Sequence, residues 1–189
     1  PPPALARLTA TGDGPIRVAV KSGVGADAKS DAVVDEALLV EALVLHAVAH
    51  PKIERLVGVV THGLPFVICT EFMPGGNLKS YLRACRPIVA NPKAVLTLLD
   101  LAKMAEAVGT AMAFLEARKI IHRDIAARNV LVGKVPTDVK LADLGAARSV
   151  FRLAGDVYTA TQDHTPARWM APEALREAKF TNKTDVWGY

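Results

Sequence analysis

Apolar and polar positions alternate with a period of two early in the chain and recur every three to four residues later on. Ile16, Val18 and Val20 alternate with Arg17, Ala19 and Lys21, which predicts a strand over Ile16–Lys21 with two unlike faces. A partner strand is expected over Leu5–Thr11, joined to it through the turn residues Gly12-Asp13-Gly14. Ser30 or Asp31 is suited to cap a helix running to about Ala49, just before Pro51. On that helix Leu38, Glu41 and Leu45 fall on one stripe, so a carboxylate is aimed at the core, whereas Glu36 falls off the stripe. The runs Arg55–Thr61 and Pro65–Thr70, parted by His62-Gly63, read as two more strands. Met73-Pro74-Gly75-Gly76 then breaks the pattern as a linker would. The longest helical pattern spans Val95–Arg118, with Leu101, Met104, Val108, Met112 and Leu115 at spacings of three and four. Strands first and helices afterwards predict an α+β fold in two lobes.

Composition narrows the class. The 189 residues are 51% hydrophobic and 22% charged, a globular balance with room for one domain or two small lobes sharing a core. The net charge is +4, but no run of five or six basic residues gathers it. Dispersed charge of this kind is a solvated surface, so no nucleic-acid partner is expected. The two cysteines, Cys69 and Cys85, lack metal-site spacing and fit a reducing, cytoplasmic setting. No apolar stretch reaches the ~18 residues of a membrane span, so no membrane contact is expected within this segment. A parent chain could still be a membrane receptor with this segment inside the cell.

The chemistry concentrates in Ile121-His122-Arg123-Asp124-Ile125-Ala126-Ala127-Arg128-Asn129-Val130-Leu131. His-Arg-Asp with Asn five places after the Asp resembles the catalytic loop of protein kinases. The resemblance implies Asp124 as the base that accepts the proton of the attacking hydroxyl, Asn129 as a magnesium ligand and Leu131 as the floor beneath adenine. Fourteen residues beyond Asn129, Asp143-Leu144-Gly145 resembles the kinase Asp-Phe-Gly element with Leu in place of Phe. Asp143 would then bind magnesium on the ATP phosphates, and Leu144 would still supply an apolar plug. Val18-Ala19-Val20-Lys21 resembles the strand that sets a small residue, Ala19, over adenine and brings Lys21 to the phosphates. In kinases that Lys pairs with a helix Glu, which implies Glu41 here. Ile68-Cys69-Thr70-Glu71-Phe72-Met73 resembles the strand and hinge of the same site. Thr70 would be the gatekeeper, and the backbones of Glu71 and Met73 would bond the adenine edge.

Two segments point to tyrosine as the acceptor. Serine/threonine kinases carry Lys two places after the catalytic Asp; here that place is Ala126, and the cation is Arg128, four places after Asp124. Pro166-Ala167-Arg168-Trp169-Met170-Ala171-Pro172-Glu173 resembles the tyrosine-kinase form of the segment ending in Ala-Pro-Glu. Between Gly145 and Ala171 the presumed activation segment holds a single tyrosine, Tyr158, whose phosphate would pair with Arg123. Asp185 resembles the helix carboxylate that anchors the catalytic-loop backbone.

The resemblance implies an ATP- and Mg2+-dependent protein tyrosine kinase acting on a protein substrate, with residues 1–73 as N-lobe and 74–189 as C-lobe. The alternative is a pseudokinase, a scaffolding module without transfer; Lys21, Glu41, Asp124, Asn129 and Asp143 are all retained, which speaks against it. No Gly-x-Gly-x-x-Gly precedes Lys21, so the phosphate-covering loop is expected to lie upstream of Pro1 or to be absent, and the later helices are expected after Tyr189. The kinase fold is therefore expected to be incomplete here, and these residues alone are expected to be inactive.

Overall fold

The computed structural model describes residues 4–8, 16–22, 28–62, 66–86, 95–149, 157–160 and 167–189, with the backbone alone for 4–8 and 28–37. Four antiparallel strands open the chain: β1 (Ala4–Leu8), β2 (Ile16–Ser22), β3 (Leu56–Val60) and β4 (Val67–Glu71), in the spatial order β1-β2-β4-β3. The β2–β4 register sets Ala19 opposite Thr70 and Lys21 opposite Ile68. Of the three apolar positions expected on one face of β2, Val18 is fully buried, whereas Val20 is half-buried and Ile16 is exposed near the start of the strand. The expected turn at Gly12–Gly14 and the turn residue Gly63 lie outside the described residues.

Helix α1 (Ala28–Ala47) crosses behind the sheet. It begins before Ser30 and Asp31, so these polar residues occupy its first turn and neither is its cap. The stripe on this helix is as expected: Leu38, Glu41, Ala42 and Leu45 are buried, while Leu39, Val40 and Leu43 face outward.

The second part alternates helices with short strands: β5 (Gly76–Asn77), α2 (Leu78–Ala84), α3 (Leu98–Ala117), β6 (Ile120–Ile121), β7 (Val130–Val132) and β8 (Val139–Leu141). β9 (Arg148–Ser149), β10 (Tyr158–Thr159), α4 (Pro172–Glu177), β11 (Lys179–Phe180) and α5 (Asn182–Gly188) follow. Thr97 and Asp100 form a capping box that starts α3 three residues later than Val95, satisfying backbone donors that would otherwise lack partners. The buried face of α3 is Met104, Ala107, Val108, Ala111 and Leu115, whereas Leu101 is 41% exposed and Met112 only partly buried. Its alanines, unmarked by hydrophobic periodicity, let neighbouring elements approach.

One apolar core runs from Leu38, Ile53 and Ile68 to Leu115, Val132 and Leu144 and so links the sheet to the helices. The junction is stitched by backbone as well: Ile53 forms a parallel bridge with Leu141, and the Glu54 N–H donates to the Leu141 carbonyl at 2.8 Å. Gly75 is required where the chain enters β5, because a Cβ there would lie 2.6 Å from the Val132 side chain.

Candidate active site

Where sheet and helices meet, a cavity of about 280 Å3 opens between β2, α1, β4 and the loops around β7 and β8. Seven of the expected site residues line it: Lys21, Glu41, Thr70, Arg128, Asn129, Leu131 and Asp143. Ala19, Glu71, Met73 and Asp124 are not among its lining residues. Ala19 is instead partly buried in the β2–β4 ladder and Met73 is buried at the end of β4.

On the sheet side, Lys21 Nζ lies 2.6 Å from Glu41 Oε2 and 3.2 Å from Asp143 Oδ1. Burial opposes the charge on Lys21, but Asp143 and Glu41 together outweigh it and raise its pKa. Burial likewise raises the pKa of Glu41, against the pull of the Lys21 ammonium. The side chain of the rival acid, Glu36, lies outside the described residues. Glu71 turns its carboxylate away from the cavity, accepting from the Arg55 N–H at 2.8 Å and from Lys140 Nζ at 2.6 Å.

On the helical side the loop between β6 and β7 is held from several directions. Asp185 on α5, 7% exposed, accepts the N–H of His122 at 2.7 Å and that of Arg123 at 2.9 Å. Burial raises the pKa of Asp185, while His122 and Arg123 draw it back. Arg123 adopts a left-handed backbone, φ 72°, which costs roughly 1–2 kcal/mol for a residue with a Cβ and persists because its surroundings hold it. His122, fully buried, bonds the Ala142 carbonyl through Nε2 at 3.1 Å. The chain after β8 is thereby tied to the loop.

Those ties converge on Asp124. Its carboxylate pairs with Arg128 and accepts from Asn129 Nδ2 at 2.6 Å, while its carbonyl accepts from the same amide at 2.8 Å. The Asn129 amide hydrogens are thus turned inward, which leaves its Oδ1 as the acceptor for other chemistry. Asp143 also has left-handed backbone, φ 61° and ψ 66°. Behind it Leu144 is fully buried, the apolar plug expected of it. A Cβ on Gly145 would sit 3.3 Å from Glu41 Oε2, so the turn after Asp143 passes closely against α1.

Beyond the cavity, the Arg123 guanidinium stacks over Tyr158 at 4.7 Å and over Phe180 at 4.4 Å. Arg148 lies 5.9 Å from the same Tyr158 ring. Trp169 is half-exposed, with the Arg128 guanidinium 5.9 Å from its ring, while Pro166 of the same segment lies outside the described residues.

Sequence reasoning assigned no role to Glu54, Ile68 or Ala142, which also line the cavity. Ile68 and Ala142 look like any core residues. Glu54 carries no motif; the only sign of it is an acid between Ile53 and the apolar strand β3.

The chain matches the family model for protein tyrosine and serine/threonine kinases over residues 5–189. It is similar to the human tyrosine-protein kinase ABL2, 42% identical over 162 residues, covering 85% of this chain and 13% of that protein. Tyrosine protein-kinase src-1 of Caenorhabditis elegans is 42% identical over 159 residues, covering 82% of this chain and 28% of that protein. The mouse insulin receptor-related protein is 40% identical over 156 residues, covering 80% of this chain and 12% of that protein. The match thus spans between 12% and 28% of the length of these relatives.

Proposed function

The chain belongs to the protein tyrosine and serine/threonine kinase family, and from that premise we propose that it transfers the γ-phosphoryl group of ATP to a tyrosine hydroxyl of a protein. One observation carries the reading: Lys21, Glu41 and Asp143 are joined by contacts of 2.6 and 3.2 Å at one wall of the cavity. Across it stand Arg128 and Asn129, both bonded to Asp124. A cation for phosphate thus lines the space, and a base for a hydroxyl stands one hydrogen bond behind its far wall.

In this reading the tyrosine oxygen attacks the γ-phosphorus, its proton passes to the Asp124 carboxylate, and the bond to the β-phosphate oxygen breaks to release ADP. Lys21, oriented by Glu41, neutralises the α- and β-phosphates. Arg128 steadies Asp124. Thr70 and Leu131, which line the cavity, would flank the adenine, while Ala19 and the backbones of Glu71 and Met73, outside its lining, would meet the base beyond it. Asn129 and Asp143 present oxygen donors of the kind that a hard divalent cation takes, and Mg2+ bound there would offset the phosphate charge. Met73 marks the boundary between a nucleotide-binding N-lobe and a substrate-binding C-lobe.

Tyrosine as acceptor rests on Arg128 in place of a Lys at Ala126, on Trp169, and on the names of two of the relatives, human ABL2 and src-1, which say tyrosine kinase. Phosphate on Tyr158 would exchange a ring stack for charge-assisted bonds to Arg123 and Arg148, ordering the segment. The work would be done inside the cell, where ATP is found. Among the described residues no helix is long and apolar enough to cross a membrane, and Cys69 and Cys85 are free and buried.

The test is incubation of the full protein with Mg-ATP labelled at the γ-phosphate and a protein substrate containing both tyrosine and serine, read by phosphoamino-acid analysis. Label on tyrosine that disappears in Asp124→Asn is expected. ATP binding without any transfer would instead make it a scaffold, and label on serine alone would move the acceptor.

A further inference from the structure

The inner wall of the cavity carries an acid that the kinase reading does not use. The bridge between Ile53 and Leu141 pins the backbone of Glu54 beneath β4. From there its carboxylate meets the gatekeeper: Thr70 Oγ1 donates to Glu54 Oε1 at 2.7 Å. Both side chains line the cavity, beside Ile68 and Lys21.

A threonine hydroxyl has one proton and two lone pairs. With the proton committed to Glu54, Thr70 has only lone pairs to offer the cavity, and the Glu54 carboxylate has nothing else either. We propose that Glu54 is a positioning residue for base specificity, holding Thr70 as an acceptor so that the inner wall favours a purine bearing an exocyclic amine over one bearing a carbonyl. The inference rests on the nucleotide-binding reading above. An amine brings an N–H to the Thr70 oxygen, whereas a carbonyl sets lone pairs against lone pairs and leaves buried polar groups unmet.

The arrangement depends on one proton. Once protonated, Glu54 can donate to Thr70 Oγ1, and the threonine proton is free to turn into the cavity. Burial pushes the Glu54 carboxyl up to about 7, with the Thr70 bond pulling the other way. Glu41 from α1 and Glu71 from β4 favour its protonation, and Lys21 from β2 opposes it. Discrimination between the two kinds of purine is therefore strongest above neutral pH and weakens as pH falls.

The experiment is equilibrium competition of ATP and of GTP against a fluorescent ATP analogue on the full protein, which separates base reading from transfer. Titration of the triphosphate is common to both nucleotides and cancels in their ratio. In the wild type the ATP:GTP affinity ratio should fall by ~3- to 10-fold from pH 8 to pH 6, the scale of one hydrogen bond. Glu54→Gln, whose amide can donate to Thr70, should show that reduced ratio already at pH 8 and keep it across the range. Thr70→Val should match it, with no further loss in the double variant. A purely structural Glu54 would weaken both nucleotides alike and leave the ratio unmoved, which overturns the proposal. Should Glu54→Gln not fold, a wild-type ratio constant from pH 6 to 8 overturns it equally. Absence of any nucleotide binding would overturn the kinase reading and this one together; an unmoved ratio with intact ATP binding overturns this one alone.

Discussion

The Lys21 ammonium lies 2.6 Å from the carboxylate of Glu41, a residue only 4% exposed. A carboxylate so placed is tolerable only with a cation beside it, and here the cation has a second partner in Asp143. Geometry makes Glu41 act through Lys21.

Lys21→Met and Glu41→Ala should therefore each suppress phosphoryl transfer, and the double variant should lose little more than either. A double-mutant cycle on kcat/KM should return a coupling of roughly 1–3 kcal/mol. Strictly additive losses would assign Lys21 a different acid.

Asp124→Asn should lower turnover by roughly 10²–10⁴-fold, the usual worth of a general base, while nucleotide affinity stays near wild type. The separation is expected because Asp124 does not line the cavity itself, and meets it through Arg128 and Asn129. Turnover within about tenfold of wild type, below that usual range, would remove Asp124 from the role.

Asp185→Ala strips the acceptor from two backbone N–H groups, those of His122 and Arg123. Each buried donor left unpaired costs about 1–3 kcal/mol, so urea unfolding should show a loss of roughly 2–5 kcal/mol at an unchanged m-value. A loss below about 0.5 kcal/mol, the range of ordinary surface substitutions, would mean that the loop keeps its shape without this clamp.

Glu54 makes stability depend on pH in the direction opposite to an ordinary surface acid. Its folded pKa, about 7, stands above the ordinary value of 4.5, so the folded state binds the proton more tightly than the unfolded chain does. The resulting stabilisation is complete below about pH 4.5 and is lost as pH rises through about 7. Relative to Glu54→Gln, the wild type should lose ~1–3 kcal/mol between pH 5 and pH 8, measured by urea melts at each pH. A difference that is flat with pH would show that the carboxyl is ionised throughout.

Much of the candidate site is legible in the residues because the proposed phosphoryl transfer would demand particular side chains at particular separations. Asp124 with Asn129, and Asp143 after the β8 run, are spaced so that one loop can present them together. Glu41 is legible for a different reason, as the charged member of an apolar stripe. Glu54 escapes both kinds of reasoning: it belongs to no spacing and no stripe, and it reaches the cavity only through the long-range bridge of Ile53 to Leu141. The start of α1 misleads for the reverse reason. Ser30 and Asp31 have capping chemistry, but the helix is already under way at Ala28. On α3, large side chains draw attention to Leu101, yet the face that packs includes the small Ala107 and Ala111.

The clamp on the loop between β6 and β7 also sets an order in time. His122 and Arg123 leave the ribosome 63 and 62 residues before the Asp185 that receives their N–H groups. At about 5–20 residues per second, translation leaves the nascent loop without its anchor for roughly 3–12 s. During that interval the left-handed turn at Arg123 lacks the acceptor that holds it. The geometry of that loop is therefore completed only once α5 has been made, by a residue that lines no part of the cavity.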